Sequence, residues 1–257
     1  MNNFEKWIAF RTIIVKEVRR YLRIWPQTLL PPAITMSLYF VIFGSLIGSR
    51  IGDMGGFSYM QFVVPGLIMM AVVTNSYSNV VSSFFGAKFN HSVEELLVSP
   101  VPNWIILAGY VAGGVSRGLM VALIVTGLSL FFSELTVVNI WLTIAIVLVT
   151  SVLFALFGFI NAVFANNFDD ISIIPTFVLT PLTYLGGVFY SMDLLPEFWA
   201  NVSRLNPLVY VVNGFRYGVL GVSDVNVTVS FGMILLFTVV AFAYCMHLLN
   251  TGKRLRQ

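Results

Sequence analysis

From Ile24 to Ser49, from Met54 to Ala87 and from Leu135 to Phe168 the chain carries no Lys, Arg, Asp or Glu. These runs are continuously apolar. They match helices that cross a bilayer and lack the period-two alternation of a transmembrane β-barrel. The pattern predicts six spans, at about 28–48, 58–84, 104–132, 140–164, 171–190 and 227–250.

Residues 4–25, FEKWIAFRTIIVKEVRRYLRIW, obey a different rule. Phe4, Trp7, Ile8, Ile14, Val15, Val18, Leu22 and Trp25 recur at helical spacing. Lys6, Lys16, Arg19, Arg20 and Arg23 fall mostly elsewhere, and Arg11 interrupts the stripe. This predicts a basic amphipathic helix lying in the headgroup plane of membrane lipid. Pro26, Pro31 and Pro32 end it and let the chain turn into the bilayer. A signal peptide is excluded, because the following apolar run is too long and has no A-x-A-like cleavage site. A span on the flank of the basic stretch also argues against a nucleic-acid partner.

Two polar interruptions stand out. KFNHSVEELLVSPVP, Lys88–Pro102, reads as a short helix stopped by Pro100 and Pro102. Phe89, Val93, Leu96 and Leu97 make its apolar face, and Ser92-x-x-Glu95 has the spacing of a capping box. Such a helix is either a handle for another protein or a simple tie between spans. The second interruption, 191–224, contains Asp193, Pro196, Glu197, Arg204, Pro207, Gly214 and Arg216. Neither half is long enough to cross a bilayer. A re-entrant helical hairpin before the last span is expected, with Trp199, Tyr210 and Tyr217 at headgroup depth.

Composition agrees with this reading. Of 257 residues, 58% are hydrophobic and 10% charged, against about 25% charged in a soluble domain. Mean hydropathy is +0.90. The whole chain, 1–257, is expected to be one all-α polytopic membrane domain. Basic residues near span ends set orientation. They gather in the N-terminal arm and in the tail at Lys253, Arg254 and Arg256, with Arg50, Arg204 and Arg216 on the other side. Both termini are therefore expected in the cytoplasm, and 191–224 outside. The loop Ala165–Asp170 has no basic residue and adds nothing to the rule. The lone Cys245 forbids an internal disulfide.

The chemistry in the sequence is sparse. There is no G-x-x-x-x-G-K-[ST], so the chain holds no ATP in a phosphate loop, and no metal site is expected. Gly114–Gly118 matches G-x-S-x-G, and an intramembrane serine protease could pair Ser116 with His247. Depth opposes the pairing: Ser116 lies about 18 Å beyond Trp104, while His247 is about 6 Å from Thr251. Gly109-x-x-x-Gly113 and Gly114-x-x-x-Gly118 have a plainer use in close helix packing. Gln61, Asn75, Ser78, Asn79 and Ser82 form a polar stripe on the second span, which either glues helices together or lines a path. Arg117 is a charge deep in the third span, where a structural or gating role is expected. Pro175 and Pro181 could permit a bend in the fifth span. A passive channel or secondary carrier remains the other non-enzymatic reading.

The order of parts resembles the type-2 ABC (ABC-2) exporter permeases, and so do local motifs. GGVFYSMDLLP at Gly186–Pro196 and NPLVYVVNGFRYG at Asn206–Gly218 are similar to that family's C-terminal signature, with Pro207, Tyr210 and Arg216 at the P-L-x-Y-x5-R spacing. FGAKFNHSVEELLVSPVP at Phe85–Pro102 and FDDISIIPTFVLTPLTYLGG at Phe168–Gly187 look especially like bacterial inner-membrane members. The resemblance implies a permease subunit in the bacterial plasma membrane, working as a homodimer with two copies of a separate ABC ATPase that binds ATP and magnesium. Segment 85–102 would hold the coupling helix: Phe89, Val93, Glu94, Glu95, Leu96 and Leu97, with the two acids facing the ATPase. The translocation path would use Gln61, Asn75, Ser78, Asn79, Ser82 and Arg117. An outer gate would use Phe198, Trp199, Pro207, Tyr210 and Arg216. The cargo class implied is amphiphilic, lipid-linked, glycan or drug-like.

Overall fold

The structure is a computed structural model that describes residues 1–252 and Arg254; the tail residues Lys253 and Arg256 lie outside the described residues. Helix α1 covers Asn3–Arg23. The Asn2 side chain accepts from the Glu5 N–H, and the Glu5 carboxylate accepts from the Asn2 N–H, so both ends of a capping box are made. The helix stops at Ile24, ahead of Pro26. The three prolines do not interrupt helices. They sit in the first turns of α2 (Trp25–Thr28) and α3 (Leu30–Phe40), where a missing N–H costs nothing. The chain then widens into a π-helical stretch, Val41–Ile47, and closes with α4 (Gly48–Ile51). A two-residue hairpin follows, β1 (Asp53–Met54) against β2 (Phe57–Ser58). Gly55 and Gly56 turn it with φ of 62° and 83°, which side chains with a Cβ rarely adopt.

The central element is α5, Tyr59–Phe89, 31 residues long and buried along most of its length. It packs against α7 (Asn103–Ser129) and α8 (Ile140–Phe164). The short α6, Ser92–Val98, lies between α5 and α7 in the chain. Small residues set how closely these helices approach. A Cβ on Gly114 would stand 2.7 Å from Val80 Cγ2, and one on Gly118 would collide with Ser76 Oγ. A Cβ on Gly158 of α8 would meet the Tyr77 carbonyl at 2.5 Å. The close-packing reading of the glycine motifs therefore holds. One pair has an unexpected partner: Gly109 and Gly113 receive Ile13 and Glu17 of α1 rather than another span.

Beyond α8 comes a short helix, 170–184, whose register changes twice. It consists of α9 (Asp170–Ile174), a π-helical stretch (Pro175–Leu179) and α10 (Thr180–Tyr184), five residues each. At the rise of an α-helix this is about 22 Å, short of the ~30 Å hydrocarbon core. Pro175 and Pro181 each remove a donor from the ladder, and the wider π turn absorbs the mismatch. Among the described residues, five helices are long and apolar enough to cross a membrane: Trp25–Gly44, Tyr59–Phe89, Asn103–Ser129, Ile140–Phe164 and Val227–Thr251. The predicted span 171–190 is not among them. After a 3-10 turn at Met192–Leu194 come α11 (Glu197–Arg204), α12 (Pro207–Leu220) and α13 (Val227–Thr251). The hairpin expected over 191–224 therefore does contain two short helices. Of these, α12 is nearly all buried, packed on α5, α8 and α13.

Candidate functional site

Helix α6 packs on the end of α5, which itself meets the end of α8 through Lys88. Val93 is buried and anchors the short helix, Leu96 and Leu97 are half-buried, and Glu95 and Val98 are exposed. Phe89 stays largely exposed and stacks on Phe168 with ring centroids 5.0 Å apart. The capping box predicted from Ser92 and Glu95 is not made. His91, in the left-handed region at φ 59°, precedes the first turn without a side-chain cap, and the Ser92 hydroxyl donates backwards to the Ala87 carbonyl at 3.0 Å. The turn after α5 is so tight that Ser92 reaches the preceding helix before it can reach its own. His91 Nδ1 lies 3.4 Å from a Glu94 oxygen.

Beside α6, the Lys88 ammonium is buried and donates to the carbonyls of Val163 and Ala165 at 2.7 and 2.8 Å. A cation thus satisfies the last carbonyls of α8, where the helix dipole is negative. On the same end, Asn103 Nδ2 donates to Asn250 Oδ1 at 2.8 Å and ties α7 to α13.

Helix α1 lies across α7 and α5. Its lipid-type stripe remains open: Phe4, Trp7, Ile8 and Leu22 are exposed, as is Trp25 at the start of α2. A second face, Ile13, Glu17 and Tyr21, is buried. The Glu17 carboxylate accepts from the Ser83 hydroxyl at 2.6 Å and pairs with Arg20 at 3.4 Å and Lys16 at 3.9 Å. Arg20 Nη2 donates to both the backbone and side-chain oxygens of Asn79, each at 2.9 Å, and its Nη1 reaches Ser82 at 3.5 Å.

The polar stripe of α5 is thereby largely spent on neighbouring helices. Asn79 and Ser82 bind α1. Asn75 Oδ1 accepts from Arg117 Nη2 at 3.0 Å, and the same nitrogen donates to the Thr28 carbonyl at 3.1 Å. Arg117 therefore clamps the break between α2 and α3 to the bundle. Gln61 belongs to another structure altogether, the capping box with Ser58 that begins α5. Ser78 is half-buried and gives its carbonyl to Ser82. Ser116 does not meet a base; its hydroxyl donates to the Gly113 carbonyl of its own helix at 2.8 Å. His247 is exposed near the end of α13, beside Phe164, Tyr244 and Arg254.

In the hairpin the five expected residues divide. Phe198 and Trp199 are exposed on α11 and pack edge to face at 5.3 Å. Pro207 opens α12, and the Tyr210 hydroxyl donates to the Arg204 carbonyl at 2.7 Å, closing the corner between the helices. Arg216 is wholly buried. It donates to Phe62 O at 3.2 Å and Gly187 O at 2.7 Å, and its guanidinium lies 3.7 Å over the Phe62 ring. Burial pushes its pKa down to about 10, with Asp224 acting in the other direction, so it stays a cation at neutral pH. Asp224 accepts from Ser191 Oγ at 2.9 Å and the Met192 N–H at 2.7 Å, fastening the start of the hairpin to its end.

Three contact residues escaped sequence reasoning: Glu17, Lys88 and Asn161, whose Nδ2 donates to the Tyr77 hydroxyl at 2.7 Å. Glu17 had a signal, since Ile13, Glu17 and Tyr21 fall at i, i+4 and i+8 on a face apart from the lipid stripe. Among the described residues, no group of three or more His, Cys, Asp or Glu could hold a metal.

A family model described as ABC-2 type transporter matches residues 8–220. The inner membrane transport permease YadH of Escherichia coli K12 is 61% identical over 251 residues, covering 97% of this chain and 98% of that protein. Its counterpart in Shigella flexneri gives the same figures. Nodulation protein J of Rhizobium leguminosarum bv. viciae is 24% identical over 218 residues, 83% of each chain. The G-x-S-x-G protease reading falls away, because the serine is committed to its own helix and both the family and the YadH match describe transport. The chain belongs to the ABC-2 type transporter family, as a non-enzymatic transport permease with several helices fit to cross a membrane.

Proposed function

We propose that this permease is the membrane subunit of an exporter driven by a separate ABC ATPase, assembled from two copies of each. The observation that carries the reading is α6. It is fixed to the bundle by Val93, yet it presents Glu95 and Val98 outward at the end of α5. A short helix fixed on one face and open on the other is a lever that a partner can push. Glu94 and Glu95 form the side offered to the ATPase, and Phe89, Leu96 and Leu97 the hydrophobic remainder. ATP and magnesium belong to that partner. The termini and α6 lie in the cytoplasm of a bacterial cell, and the helix 170–184 completes a sixth crossing with the residues after it.

The cargo is an amphiphile. An apolar pocket of about 310 Å³ opens between α5, α8, the helix 170–184 and the start of α12, lined by Tyr77, Phe157, Asn161, Val178, Leu182 and Leu208. Its walls are hydrocarbon apart from the Asn161–Tyr77 pair, which suits a chain or ring system better than an ion. On the far side, Phe198 and Trp199 of α11 act as an outer gate at headgroup depth. The test is a mild-detergent pull-down of the tagged chain from its native membrane, followed by mass spectrometry. A stoichiometric ATPase subunit, lost on Glu94→Lys/Glu95→Lys with membrane insertion intact, is the expected result. A homo-oligomer without any ATPase, seen also by crosslinking in intact membranes, would overturn it.

A further inference from the structure

Along the C-terminal half of α1 runs an open groove of about 760 Å³, lined by Lys16, Arg19, Arg20, Leu22, Arg23 and Ile24. Four of its six walls are cations. Glu17 is the carboxylate that pairs with any of them among the described residues, and it engages only Lys16 and Arg20. Arg19 and Arg23 are exposed, and their side chains make no hydrogen bond or ion pair among the described residues. The groove thus keeps a surplus of positive charge, and its two free guanidinium groups have forked donors that fit a phosphodiester.

The surroundings say where such an anion comes from. The same helix exposes Phe4, Trp7, Ile8 and Leu22, an apolar stripe of the kind that suits the headgroup layer. Leu22 and Ile24 give the groove an apolar wall beside its cations. Arg20 is already bound to Asn79 of α5, so an anion in the groove would touch a residue that grips the central span. The end of the α1 dipole opposes an anion there, but a partial charge screened at the surface is small beside four whole ones.

We infer that this groove is a binding site for the headgroup of an anionic bilayer phospholipid, seated by Arg19 and Arg23 and coupled through Arg20 to α5. The groove shares no lining residue with the apolar pocket between α5, α8 and α12. It makes the packing of α1 on the bundle depend on lipid charge.

The test uses the full chain, stripped of lipid in detergent and offered phosphatidylglycerol or phosphatidylcholine, with retained lipid read by native mass spectrometry. Retention of phosphatidylglycerol over phosphatidylcholine is expected, reduced roughly twenty-five-fold by Arg19→Gln/Arg23→Gln, since each basic residue near an anionic lipid contributes about a factor of five. Lys6→Gln/Arg11→Gln, which removes the same charge from the same helix outside the groove, should leave the preference in place. In the wild-type chain, phosphatidylglycerol should also slow phenylglyoxal modification of Arg19 and Arg23, a readout that needs no variant. Equal retention of both lipids, equal loss in the two double variants, or equal protection by inorganic phosphate would each overturn the assignment.

Discussion

Glu17 and Ser83 meet at 2.6 Å, joining the N-terminal amphipathic helix α1 to α5, the central helix of the bundle. The carboxylate is fully buried, and Gly113 of α7 leaves the space in which its side chain lies. Loss of the acid strands Arg20 beside α5 with no counter-charge. Glu17→Ala is predicted to destabilise the protein by about 3–5 kcal/mol, the range for breaking a buried ion pair from one side. Ser83→Ala should cost about 1 kcal/mol, in line with single hydrogen bonds between helices in membranes. Thermal unfolding of the two single variants and the double variant checks this. Strict additivity would mean that the two residues do not act together.

The glycines make a sharper contrast, because identical substitutions should give opposite results. Gly158→Ala drives a methyl into the Tyr77 carbonyl, and Gly118→Ala drives one into Ser76. Each should cost about 1–3 kcal/mol by overpacking. Gly127 lies on the same helix as Gly118 with nothing within 4 Å of an added Cβ, so Gly127→Ala should be neutral or stabilising by up to about 1 kcal/mol. Equal melting shifts at 118 and 127 would refute the packing argument.

Arg216 holds the backbone of α5 and of the turn at Gly187 at once. Arg216→Met keeps much of the bulk but leaves two buried carbonyls unpaired. It should cost about 2–5 kcal/mol and loosen 191–224 more than the rest of the chain. Hydrogen exchange measured segment by segment reads this directly. Uniform protection across the hairpin and the spans would show that the cation is dispensable there.

Lys88→Met should lower stability by about 1.5–3 kcal/mol, the worth of hydrogen bonds to a charged group, while Lys88→Arg should recover part of it. If Met matched the wild type in thermal unfolding, the carbonyls of Val163 and Ala165 would have to be satisfied some other way.

Much of the architecture was legible because lipid imposes so simple a rule. Charge-free runs mark helices, and Tyr59–Phe89, Asn103–Ser129, Ile140–Phe164 and Val227–Thr251 each contain or nearly contain the span expected there. The glycine spacing announced close approach but not the partner, since periodicity identifies a face and says nothing of what will cover it. Span 171–190 looked long enough to cross because its prolines are embedded in apolar residues; only the backbone reveals a helix that ends at Tyr184, with a π stretch as the middle of its three five-residue segments. The stripe on α5 was visible as a stripe. Interhelical glue was one of its two expected uses, but the partners were not legible, because Asn75 and Asn79 meet Arg117 and Arg20, which lie far away in sequence and carry long, flexible side chains. The Ser92 capping box failed for a local reason, a turn too tight for the pattern to operate.

The position of Lys88 also constrains the order of biogenesis. It is synthesised long before Val163 and Ala165, the carbonyls that finally accept its protons. Until α8 has emerged, a charged ammonium at the end of α5 must stay in water or among headgroups, and this keeps that end of α5 from sinking too deep. When α8 arrives, the same ammonium fixes how far its last turn can travel. One side chain thus serves first as a depth stop for the helix that carries it and later as a register mark for another.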